Sequence, residues 1–257
     1  MVRPHRIGCL IAVVLAIGLA GWIVHAIGTA REAARASGCC GQLGQLAFAL
    51  HCYHDIHGCF PPAHVTDASG KPIHSWRVLV LPFIDGANVY AKYDLTEPWN
   101  GPNNRKLADS IYHNMWHCDS GPHMGNSPIT DYVLVTGPGT VFPDGQTTSR
   151  TDITDGPENT LLLVEIADSD IHWMEPRDLH VDQLMAGSNV SGRPRFSSPH
   201  TRGPAVVFAD GISAWRVPGT LSPQSLQALA TIAGNEPVTR DQLSRTTRNW
   251  GRVLSEQ

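Results

Sequence analysis

Residues 7–27 read IGCLIAVVLAIGLAGWIVHAI, a 21-residue apolar run interrupted only by His25. At about 1.5 Å per residue, a helix of that length covers roughly 31 Å, close to the thickness of a bilayer's hydrocarbon core. A cleaved signal peptide has a shorter apolar region, about 7–15 residues, and ends in an Ala-x-Ala-like site that is absent here. The Gly8–Cys9 pair does not read as a lipoprotein site, because the apolar stretch follows the cysteine instead of preceding it. The run predicts an uncleaved transmembrane helix with a short flank, residues 1–6, before it. Gly8, Ala12, Ala16 and Ala20 recur every four residues within it. Small residues at that spacing let two helices approach closely in lipid, so this face predicts membrane packing and self-association.

Arg3 and Arg6 precede the run, and Arg31 and Arg35 follow it, so the positive-inside count is nearly balanced. Cys39, Cys40, Cys52, Cys59 and Cys118 all lie beyond it, a number that suits an oxidising space. Together these place a single-pass protein in the cell membrane with its C-terminal domain extracytoplasmic. The chain has 42% hydrophobic and 16% charged residues, enough to build a sizeable core and inconsistent with general disorder. A formal charge of −4 gives no positive face for nucleic acid, which is excluded as a partner.

After the span, residues 28–60 continue as a helix. Leu43, Leu46, Leu50 and Tyr53 keep the three-and-four spacing of one helical face, and Ala47 widens it. Gly58 and Pro61–Pro62 supply the stop. Gly38, Gly41 and Gly44 predict a kink near the cysteines. Residues 61–235 form the main domain. Strands are expected at Trp76–Ile84 (WRVLVLPFI), Tyr132–Thr136, Thr160–Ile166, Ala205–Ala209 and Ile212–Val217. The last two flank Asp210–Gly211, a strong hairpin signal if both turn residues take positive φ. A helix is expected from Ser222 as N-cap and Pro223 at its first position. Residues 236–257 are an Arg-containing tail. The fold class is therefore α+β, with a long amino-terminal helix on a mostly antiparallel sheet.

Thirteen histidines raise the question of metal. His51 and His54 lie one helical turn apart with Asp55 beside them, and His113 and His117 stand at i, i+4 with Cys118 and His123 following. Asn114 occupies the position where a metalloprotease pattern has Glu. Asp152, Asp155 and Glu158, and separately Glu165, Asp168 and Asp170, are loop acids of the kind that hold calcium, without the EF-hand spacing. No Gly-x-Ser-x-Gly elbow or phosphate-binding glycine loop occurs, so no catalytic residue and no cofactor is assigned. His51, His54, His113, His117, Asp152 and Asp155 remain the metal candidates, with calcium as the alternative ion. Trp76, Trp99, Trp116 and Trp173 serve either core packing or a ligand groove.

The span running into REAAR, Cys39 and QLGQLAFALHCYHD is followed in order by FPPAHV, KPIHSWRVLVLPFI, YDLTEPWNGPNN, HCDS, DITDGPENTLLLVEIADS, WMEPRDL and SPHTRGPAVVFADG. These segments resemble a large bacterial family of unknown function that has a prepilin-type amino terminus and is sometimes grouped with extracellular solute-binding proteins. His200, nine residues, then Asp210–Gly211 matches that family's C-terminal signature. The resemblance implies a pilin-like helix on a sheet and a disulfide between Cys39 and Cys118. Family members carry a Gly-Phe-Thr-Leu-x-Glu cleavage motif, whereas Gly8 here is followed by Cys9, Leu10, Ile11, Ala12 and Val13. With Val13 in place of the acid, residues 1–27 are expected to stay attached. The functional expectation is an envelope-anchored, pseudopilin-like structural or interaction protein without enzymatic activity, contacting the membrane and other envelope proteins. The alternatives are a membrane-tethered solute-binding module and, more weakly, a hydrolytic or metal-dependent enzyme using His51, His54 or His200.

Overall fold

A computed structural model describes residues 4–110, 114–123, 125, 127–185, 195–212, 214–217 and 221–240. Helix α1 (Pro4–His57) is unbroken over 54 residues, which corresponds to about 81 Å. Its apolar side chains from Ile11 to Ile27 face outward, with Leu15 and Val24 at 68% and 69% exposure. Further along, Cys39, Leu43, Leu46 and Leu50 are fully buried at spacings of four, three and four. One helix thus provides an apolar rod outside the domain and one wall of the domain's core. It is long and apolar enough to cross a membrane. The kink expected near the cysteines is absent as a break in the helix. Glycine's helix cost of about 1 kcal/mol per residue is outweighed here by the packed stripe beside it. Gly58 ends the helix as expected, taking φ 77° while its N–H donates to the His54 carbonyl.

A short antiparallel hairpin follows, β1 (His64–Thr66) with β2 (Pro72–Ser75). The WRVLVLPFI run is not the expected strand. It forms α2 (Trp76–Leu79) and a 3-10 turn, Leu81–Phe83. Ser75 caps α2 by accepting from the Arg77 N–H, and Pro82 lies second in the 3-10 turn. A continuous apolar run carries no period, so capping chemistry decides its conformation. Helices α3 (Ala87–Tyr90) and α4 (Pro102–Ser110) and a 3-10 turn, Asn114–Trp116, lead into the sheet.

The sheet contains β3 (Tyr132–Thr136), β4 (Leu161–Ala167), β5 (Leu179–His180), β6 (Arg195–Phe196), β7 (Ala205–Phe208) and β8 (Ala214–Arg216), with α5 (Val181–Met185) after β5 and α6 (Pro223–Ala228) after β8. Its order is β5-β3-β4-β7-β8, with β6 also paired to β4; only the β3–β5 pair is parallel. The chain is α+β, as expected. Both faces of the sheet are covered. Tyr132, Leu134, Leu163 and Val207 pack with α1, whereas Val133, Val135, Val164, Ile166, Val206 and Phe208 pack with Leu226 and Leu229 around α6. A register shift between Leu161 and Leu163 resets the alternation in β4. Leu163 then faces α1, and period two carries Glu165 to that same face.

The β7–β8 hairpin forms with the expected pairing, Val207 opposite Ala214. Its turn differs from the expected one. The Gly211 N–H donates to the Phe208 carbonyl, and of the Asp-Gly pair only Gly211 has positive φ, at 65°. Asp210 instead accepts from the Ile212 N–H and pairs with Arg240. Ser222 caps α6 by accepting from the Ser225 N–H, with Pro223 following it.

Candidate functional site

Four side chains from four segments meet between α1 and the sheet. Cys39 extends the buried stripe of α1 by one turn beyond Leu43. Cys118 follows the Asn114–Trp116 turn, with its backbone N–H held by Asp131 at 2.9 Å. Glu165 is the carboxylate that alternation in β4 turns toward α1. His200 lies in the loop before β7, where its own N–H donates to Ser198. Their donor atoms all lie within 4.8 Å of one another, and all four residues are buried.

His200 is the hub of this cluster. Its Nε2 is 3.0 Å from Cys118 Sγ, 3.4 Å from Cys39 Sγ and 3.9 Å from Glu165 Oε1. Its Nδ1 donates to Glu32 Oε1 at 2.5 Å. Glu32 stands seven residues before Cys39, two turns back on the same side of α1. Its carboxylate is also held by Arg35 at 2.8 Å and Ser120 at 3.2 Å. Burial works to raise the Glu32 pKa, but the hydrogen bonds from His200 and Arg35 outweigh it and bring the carboxyl below its ordinary value. With the proton of the neutral ring on Nδ1, the Nε2 lone pair faces the sulfurs.

The two oxygens of Glu165 are treated differently. Oε2 accepts from Ser198 Oγ at 2.9 Å, the Ala205 N–H at 2.8 Å and Arg216 Nη1 at 3.3 Å. Oε1 is buried and, among the described residues, has no hydrogen-bond partner. Arg216 is held in turn by the carbonyls of Gly203 and Ala36. The Cys118 hydrogen bond lowers the Cys39 thiol, and His200 acts the same way against the cost of burial. That same bond, with burial, pushes Cys118 upward. A thiolate beside an imidazole is the recipe for a nucleophile, but both sulfurs are fully buried, so no substrate can approach without opening the core.

The structure brings together Cys39, Cys118, Glu165 and His200 from the residues singled out in the sequence, with Glu165 on strand β4 and not in an acidic loop. Cys39 and Cys118 are free thiols, both hydrogen-bonded to His200, and the expected disulfide bond does not join them. The remaining candidates are dispersed. His51 Nδ1 accepts from Arg150 Nε at 3.1 Å and His54 Nε2 accepts from the Arg150 backbone N–H at 3.2 Å, so one nitrogen of each ring already holds a donor. His117 is buried, and neither ring nitrogen has a hydrogen-bond partner among the described residues. Its expected partner His113 lies outside the described residues. Asp152 accepts from the Ser149 N–H, and Asp155 accepts from the N–H groups of Gly234 and Asn235. Asp170 pairs with Arg177, away from Glu165. Trp76, Trp116 and Trp173 are buried, with Trp116 and Trp173 stacked at 5.6 Å, so these three serve the core. Gly8, Ala12, Ala16 and Ala20 lie on α1 in the stretch before the domain.

The fold and this cluster define an α+β domain on a long apolar helix, locked to its sheet by a thiol–imidazole–carboxylate group. Residues 28–138 match a family model described as protein of unknown function (DUF1559), whose label, SBP_bac_10, associates it with bacterial solute-binding proteins. That segment contains Cys39 and Cys118; Glu165 and His200 lie beyond it. No curated protein and no solved structure matches the chain.

Proposed function

We propose that the chain is an envelope-anchored, pilin-like structural or interaction protein that displays its α+β domain from a membrane without carrying out catalysis. The observation that supports this most directly is the division of α1. Apolar side chains such as Ile17 and Trp22 are 67% exposed at one end, while Leu43, Leu46 and Leu50 are fully buried at the other. An exposed apolar stripe that long is costly in water and favourable in lipid. In this reading the helix crosses the membrane once, the domain lies outside the cytoplasm, and the partners are the bilayer and other envelope proteins. The small-residue face at Gly8, Ala12, Ala16 and Ala20 supports self-association.

Membrane fractionation of the full chain tests the anchor. The protein is expected in the membrane pellet, resistant to high salt and released by detergent, whereas a chain lacking residues 1–27 is soluble. Protease added to intact spheroplasts is expected to digest the domain, and complete protection would reverse the orientation. A soluble full-length chain would overturn the reading. The family label favours a tethered solute-binding module as the second reading; saturable stabilisation of the domain by a sugar or amino acid in a thermal-shift panel would replace the first with it.

A further inference from the structure

We propose that Cys39, Cys118, Glu165 and His200 form a closed tetrahedral site for a thiophilic divalent cation, with zinc the favoured ion, which staples the anchor helix to the sheet. The donor set is two sulfurs, one imidazole nitrogen and one carboxylate oxygen, the chemistry zinc selects in structural sites. With bonds of about 2.3 Å to sulfur and about 2.0–2.1 Å to nitrogen and oxygen, a tetrahedron has edges of roughly 3.3–3.8 Å. The distances from His200 Nε2 to the other three donors are 3.0, 3.4 and 3.9 Å. A cation needs only small side-chain shifts to fit.

Glu165 supplies an independent observation. Its Oε2 is fixed by three donors, which leaves Oε1 in the cluster, 3.9 Å from His200 Nε2 and with no hydrogen-bond partner among the described residues. A buried charged oxygen left unsatisfied is expensive, and a coordinated cation removes that cost. The surroundings also suit a metal. His200 donates its other ring nitrogen to Glu32, the carboxylate–histidine arrangement that orients a metal-bound imidazole. Two thiolates and one carboxylate against a divalent cation leave one negative charge, which the guanidinium of Arg216 matches at 3.3 Å. Four buried protein donors leave no open position, so the site is structural.

The full chain, purified in detergent with reductant and zinc, is expected to carry one equivalent of metal by elemental analysis. Cobalt added to the chelator-stripped protein should give the intense visible bands of tetrahedral coordination and a thiolate charge-transfer band. Cys118→Ser and Glu165→Gln should lose or shift those bands, while Cys52→Ser and Cys59→Ser leave them unchanged. Glu32→Gln, which among the four ligands meets His200 alone and at its far nitrogen, should weaken binding about 10–100-fold. The cobalt titration reads the wild-type chain directly, so a misfolded variant does not spoil the test. Folded wild-type protein that takes up no metal, or whose bands survive Cys118→Ser, would overturn the proposal. So would a Cys39–Cys118 disulfide in protein taken from membranes. None of these readouts depends on whether the chain is anchored.

Discussion

Gly211 lies against the imidazole of His51: a Cβ placed on Gly211 would come within 2.5 Å of both Cδ2 and Nε2 of that ring. The turn of the last hairpin is therefore packed onto the C-terminal end of the long helix. Glycine is required twice over, by φ 65° and by this contact.

Gly211→Ala should destabilise the domain by roughly 1–2 kcal/mol from the left-handed backbone alone, plus the cost of displacing His51. In a His51→Ala background the second part disappears, so the same substitution should cost less there. Thermal or urea unfolding of the four proteins in this cycle measures the coupling. Equal costs in both backgrounds would show that the contact contributes nothing.

Arg77 and Asp178 form a buried ion pair at 2.7 Å, with side-chain exposures of 0% and 3%. Arg77 also donates to the Tyr132 carbonyl, while Asp178 accepts from Trp76 Nε1 and the Leu134 N–H. The pair thus joins α2 to β3. Arg77→Met leaves Asp178 buried without its counter-charge and should cost about 3–5 kcal/mol in chemical denaturation. A loss below about 1 kcal/mol would mean that water or another cation replaces the guanidinium.

How much of this was legible in the sequence depends on whether the signal was local. The apolar run at residues 7–27 and the Leu43–Leu46–Leu50 stripe are each contained in one segment, and the structure makes both helical. The Ser222–Pro223 cap also forms, its chemistry being contained in adjacent residues. WRVLVLPFI misled because a continuous apolar run carries no period, and the Ser75 cap before it sets a helix in place of a strand. The cluster was out of reach because its members are distant in the chain: His200 is 82 positions from Cys118 and 161 from Cys39. Two traces of it were present. Cys39 continues the leucine stripe of α1 by one turn, and Glu165 interrupts LLLVEIA, where a lone carboxylate in a buried strand needs a partner.

Asp155 secures the segment after α6, since Oδ2 accepts from the Gly234 N–H at 2.6 Å and Oδ1 from the Asn235 N–H at 2.9 Å. Asp155→Ala should cost roughly 1–3 kcal/mol and speed amide hydrogen exchange at Gly234 and Asn235. Calcium should leave the melting temperature of the wild-type protein unchanged, because both oxygens already hold backbone donors. A calcium-dependent rise in Tm that vanishes in Asp155→Ala would instead make this carboxylate an ion ligand.

The partly or fully buried histidines His51, His54 and His74 make the fold sensitive to acid. Burial lowers the pKa of His51, and Arg150 and His54 add to that while Asp55 and Asp210 oppose it. Burial likewise lowers His54, with Arg150 in the same direction and Asp55 against it. His74, bonded to the Tyr93 hydroxyl and the Leu95 carbonyl, is also lowered by burial, against the pull of that carbonyl and of Asp94. The accepting nitrogens of His51 and His54 must be unprotonated to receive Arg150. A folded-state pKa below the unfolded value, about 6.5, means that the unfolded chain binds more protons as pH falls through that value. Stability therefore declines from about pH 6.5 downward and is fully present well above it. Thermal melts of chelator-treated protein at about pH 7.5 and about pH 5.5 should show a lower Tm in acid, and His51→Gln with His54→Gln should flatten the dependence. An unchanged or higher Tm at the lower pH would contradict the burial of these rings in their neutral form.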